Sequence, residues 1–133
     1  MDLSKIDLQK EADEAQACHL YDPRTNEPLY DNDEPVEIMV LGANSSKARD
    51  LTAKLARKNA AKQKPKKEVD IEKVLAEGAE FVAGLTVGWR NLEFNGESEF
   101  SEQLAAEMYR ERPWIMNQVQ EFIADPGNFM KRS

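Results

Sequence analysis

The sequence predicts a mainly α fold, one compact helical domain with a small N-terminal antiparallel β-hairpin or meander (α+β). Three observations carry that prediction. Several segments after residue 45 pair a helix start signal with apolar residues three and four apart. Residues 17–42 instead show short alternating runs broken by Asp-Pro and other turn residues. Both tryptophans and four of the five phenylalanines lie after residue 86, so the last third must anchor the core.

In chain order, residues 1–16 are polar and acidic and read as an N-terminal arm, within which Ser4 can cap a short helix carrying Ile6 and Leu8. Residues 17–133 form a single domain that starts with the hairpin or meander, 17–42. There Cys18-His19-Leu20-Tyr21 precedes Asp22-Pro23-Arg24-Thr25-Asn26, which suits a type I turn. Pro28 removes a backbone donor and favours an edge strand. After a second turn at 31–35, Val36, Ile38 and Val40 alternate onto one face of a strand that Gly42 ends.

Asn44-Ser45-Ser46 starts a basic helix, 46–64, with Ala48, Leu51 and Leu55 on a narrow apolar stripe. Pro65 breaks it and opens a linker, 65–69. The helical core follows, 70–130. Asp70 caps its first helix, where Ile71, Leu75, Gly78, Val82, Leu85 and Trp89 share one face. Gly78 and Gly84 fit a close helix crossing. Ser101 caps the next helix and Pro113 opens the last. Asp125-Pro126-Gly127 stops that helix and lets Phe129 fold back. The expected structural core is Leu75, Val82, Leu85, Trp89, Phe100, Trp114, Phe122 and Phe129.

With 133 residues, 41% hydrophobic and 32% charged, the chain can bury one modest core under a large solvated surface. Its mean hydropathy is −0.69. The single cysteine, Cys18, excludes an internal disulfide and fits a reducing compartment. The first residues lack the basic and apolar regions of a signal peptide. The longest apolar stretch, 81–89, is far shorter than the ~20 residues of a membrane span.

Charge is strongly divided. Residues 47–67 hold nine basic side chains and one acid, a net +8, which leaves −15 for the remainder against an overall −7. Such a helix attracts an acidic partner or the acidic face of its own copies. Lys54, Arg57, Lys58 and Lys62 are the candidate protein-binding residues. A phosphate backbone is the competing ligand, and a DNA-binding regulator using 47–67 the competing function. The absence of interleaved aromatics and a pI near 4.8 count against nucleic acid.

No residue set nominates an enzyme, and no catalytic, metal or cofactor residues are assigned. His19, the only histidine, reads as a half-exposed strand residue beside Tyr21, and Cys18 points to the opposite face from it, as a small hydrophobe. Asp31-Asn32-Asp33-Glu34 has calcium-like acids but lacks the glycine and distal glutamate of an EF-hand loop. CxxC, HExxH and Gly-rich phosphate loops are missing.

One ordered set of motifs adds to this reading. The turn Asp22-Pro23-Arg24-Thr25-Asn26-Glu27-Pro28-Leu29 comes first, then the 36–42 strand followed by Ser45-Ser46. Trp89, Phe100-Ser101, Pro113-Trp114 and Asn128-Phe129 complete the series. In order and approximate spacing, across about residues 17–130, the set resembles the tail assembly chaperones of long-tailed (siphovirus-type) bacteriophages or prophages. Asn26 departs from the pattern, which has glycine there, but asparagine also tolerates the left-handed backbone such a turn needs. The resemblance implies a non-catalytic protein of the bacterial host cytoplasm that binds tape measure protein and tail tube subunits during tail morphogenesis. It also implies a protein absent from the mature virion, with no cofactor, nucleic acid or membrane. The chain's end at Lys131-Arg132-Ser133 would make it the short form of such a chaperone. Opposite charges on one chain add an expectation of self-oligomers, head-to-tail in rings or open spirals. A general protein-interaction module is the alternative.

Overall fold

The computed structural model describes residues 1–61 and 70–130, so Lys62 and the expected 65–69 linker lie outside the described residues. In chain order helix α1 (Leu8–Ala12) is followed by four strands, β1 (Gln16–His19), β2 (Tyr30–Asp31), β3 (Glu34–Pro35) and β4 (Glu37–Val40), then by helices α2 (Ser46–Ala61) and α3 (Ile71–Leu85), strand β5 (Thr86–Arg90), and helices α4 (Glu102–Glu111) and α5 (Pro113–Ala124). Strand β4 is the centre of an antiparallel sheet of order β1-β4-β5, and β2 and β3 form a separate hairpin.

That topology corrects the expected fold class. The fold is α+β, not a mainly helical body carrying an N-terminal meander. The third strand of the sheet comes from residues 86–90, which the apolar period had placed at the end of the central helix. Spacings of four from Leu85 to Trp89 look helical, but Thr86 and Val87 are β-branched and Gly88 is a weak helix former. The helix ends where Thr86 turns extended, with its backbone N–H bonded to Ala83 O and its hydroxyl to Val82 O at 2.8 Å. The next residues pair with β4, aligning Trp89 with Ile38 and Arg90 with Glu37. Val40 pairs with Thr86 and Met39 with Gly88, so Val87 is an extra residue, a bulge that leaves its side chain half exposed.

Cys18, Ile38 and Trp89 lie in register across the three strands, on the face that packs against the helices. Ile38, Val40, Val82, Leu85, Met108, Tyr109 and Val119 are buried there. Each such aliphatic or aromatic side chain stabilises the fold by roughly 1.5–3 kcal/mol relative to leaving it in water. Val82 and Leu85 thus sit in the core, as does Phe129, while Leu75, Trp89, Phe100, Trp114 and Phe122 are half-buried and packed against it. Trp89 donates its indole N–H to Ser98 O at 2.9 Å and meets Phe100 edge to face. Phe122 and Phe129 make a second edge-to-face pair.

The local signals of the chain act through hydrogen bonds. Asp70 accepts from Lys73 N and Ser101 from Leu104 N, capping α3 and α4. Pro113 opens α5, where its missing N–H costs nothing. Asn26 has φ of 59°, the left-handed conformation its turn requires. Asn32 and Asp33, both with positive φ, form the two-residue loop between β2 and β3.

Residues 1–16, expected as an arm, are fastened to the body at their C-terminal half. Asp7 caps α1, and Ala12 is buried with its carbonyl accepting from Gly42 N. Asp13 accepts from Ser46 N at 2.7 Å and from Ser46 Oγ at 2.9 Å, at the start of α2. Gly42 holds this junction, because a Cβ there would lie 2.9 Å from Ala12 Cβ and 3.0 Å from Phe129 Cδ2.

Candidate interaction surface

The surface begins with how α2 is started and seated. Buried Ser45 accepts from Ala48 N at 3.1 Å, satisfying one of the free amides of the first turn. Ala48 is buried, and Leu51 and Leu55, one turn apart, turn their half-buried side chains toward α3. At Gly84 an added Cβ would come within 2.7 Å of Leu51 Cδ1, so the glycine admits the leucine. The close helix crossing expected at Gly84 is therefore α2 over α3.

Beyond that crossing the helices leave a shallow groove of about 170 Å³. Leu51, Leu55 and Phe81 form its floor, Lys54 and Lys58 its α2 rim, Glu77 and Glu80 its α3 rim. Leu51 meets the end of α3 and Lys58 shares the groove with Glu77, so the two helices run antiparallel. Arg24 and Asp22 form an ion pair at 3.0 Å, whereas the four charged rim residues have no such partner among the described residues.

Of the candidate protein-binding residues, Lys54, Arg57 and Lys58 are exposed on α2, and Lys62 lies outside the described residues. The structure brings Lys54 and Lys58 to one rim. Sequence reading missed the acidic rim. Glu77 and Glu80 sit three apart on α3, but their place opposite the lysines depends on how two helices pair. It also assigned Ile71 to the core stripe, whereas Ile71 is 77% and Val74 57% exposed at the start of α3. Apolar spacing marks a face but not where the packed body stops.

Other candidates have structural partners. His19 Nε2 lies 2.8 Å from Leu29 O, and the ring stands edge-on to Tyr30. Burial pushes the Cys18 thiol up to about 11, so it stays protonated at neutral pH and packs as a hydrophobe. Gln118 on α5 donates to Tyr21 O and accepts from Tyr21 N, both at 2.8 Å, and ties the hairpin to the helices. Among the described residues no group of three or more His, Cys, Asp or Glu is placed to hold a metal ion. No helix among them is long and apolar enough to cross a membrane.

Comparison with protein-family models, curated proteins and solved structures found no match for this chain.

Proposed function

We propose that the chain is a bacteriophage tail assembly chaperone, which binds tape measure protein and tail tube subunits during tail morphogenesis and leaves before the virion is complete. The observation that carries the reading is the ordered series of motifs from Asp22-Pro23 to Asn128-Phe129. Its members lie at the joints of the fold. Asn26 turns the first hairpin, Ser45 starts α2, Trp89 and Phe100 clasp one another, Pro113 opens α5 and Phe129 plugs the junction at Gly42.

The chemistry of the surface suits that role. A scaffold that shields an aggregation-prone helix and then departs works through many weak contacts rather than one tight site. Arg57 on α2 and the apolar side chain of Ile71 at the start of α3, both exposed, offer such contacts. The protein acts in the host cytoplasm, without catalysis, and associates with its own copies.

Deleting the reading frame from the phage or prophage that encodes it tests this. Tails should fail to assemble and be restored by the wild-type chain, and mass spectrometry of finished particles should not detect it. Normal tails without the chain, or stoichiometric chain in mature particles, would refute the reading.

A further inference from the structure

We infer that the α2–α3 groove is the contact between two copies of this chain, paired about a two-fold axis that runs along the groove. The floor is apolar, and its half-buried Leu51, Leu55 and Phe81 have no covering element among the described residues. Val74, two helical turns before Phe81 on the same side of α3, extends the apolar strip and is 57% exposed. One rim is basic and the other acidic, and among the described residues neither has an ion-pair partner within 4 Å.

That pattern selects the occupant and its orientation. Rotation by half a turn about an axis along the groove lays each copy's α2 over the other copy's α3. It preserves height along the groove, so Lys58 of one copy comes level with Glu77 of the other. Lys54 comes level with Glu80 in the same way. A two-fold axis across the groove would instead set lysines on lysines and glutamates on glutamates, which charge repulsion disfavours. Two antiparallel helix pairs then close into a four-helix arrangement with the leucines and Phe81 inside. The contact is isologous and stops at two copies, unlike the head-to-tail spiral that charge division alone suggests. It rests on the self-association in the proposed function and is independent of tail assembly.

Sedimentation velocity of the purified full-length protein tests the pairing. Wild-type protein should sediment as a dimer of the 15.1 kDa chain. K54E/K58E and E77K/E80K should each be monomeric, with helical circular dichroism unchanged. Mixing the two variants should restore a dimer, because an all-acidic groove then meets an all-basic one, and the fourfold swap should dimerise alone. A wild-type monomer, an assembly larger than a dimer, reversals that leave the mass unchanged, or no recovery on mixing would each overturn the proposal. Failure to find a tail partner would leave this result standing.

Discussion

Tyr109 OH and Thr86 Oγ1 lie 2.8 Å apart in the buried interior, and the same threonine oxygen is 2.8 Å from Val82 O. Only one proton arrangement satisfies both contacts. Thr86 donates to the carbonyl and Tyr109 donates to Thr86. The chain thereby links α4 to the point where α3 becomes β5. Thr86→Val leaves a buried phenol without its acceptor and should cost about 1–3 kcal/mol. Tyr109→Phe removes the donor but spares the Thr86–Val82 bond, and should cost about 0.5–1.5 kcal/mol. Urea denaturation gives the order, and the double variant should cost less than the sum of the two.

Alkaline pH should loosen the same region. Burial raises the Cys18 thiol from 9.0 to about 11, and burial also holds the Tyr109 phenol above its ordinary range. Both groups favour the folded state in their neutral forms. Their contribution is complete below the unfolded pKa and is lost as pH rises above it. Urea midpoints should therefore hold up to about pH 8 and fall above pH 9. Cys18→Ala should flatten the first part of that fall, and an unchanged profile would contradict the assignment.

Two glycines should respond differently to alanine. At Gly42 the added methyl meets Ala12 Cβ and the Phe129 ring, which are both held in place, so overpacking should cost about 1–3 kcal/mol. At Gly84 it meets the tip of half-buried Leu51, which can swing aside, and the helix gains about 1 kcal/mol of propensity. Gly84→Ala should be close to neutral in thermal melts, with Gly42→Ala far below it.

Asp13→Ala should release the N-terminal segment. The substitution removes both bonds to Ser46 and should cost about 1 kcal/mol. Hydrogen exchange should show faster loss of protection in residues 8–12 than in α4 or α5.

The parts of this fold that local chemistry decides were legible in the sequence. Asp70, Ser101 and Pro113 start helices by satisfying or lacking amides within one turn, so their neighbours suffice to place them. Asn26 takes the left-handed backbone for the same local reason. Strand β5 was hidden because Leu85 and Trp89 fit a helical spacing, while the free edge of β4 that recruits them is remote in sequence. The anchoring of residues 7–13 was hidden because polar composition does not reveal that Asp13 reaches Ser46. Half of the candidate surface could be read. Lys54, Arg57 and Lys58 stand out as a run of charge, but Glu77 and Glu80 become its counterpart only once α2 and α3 are packed.

The central claim is that this fold holds other polypeptides through the exposed side chains of Arg57 and Ile71, outside the α2–α3 groove. Co-expression with the tape measure protein of the same phage or prophage tests it most directly. Wild-type chain should keep the tape measure protein soluble and co-purify with it, and the R57E/I71E variant, folded by circular dichroism and unchanged in sedimentation, should lose it. Tape measure protein that stays insoluble with the wild type, or that co-purifies equally with the variant, would contradict the account.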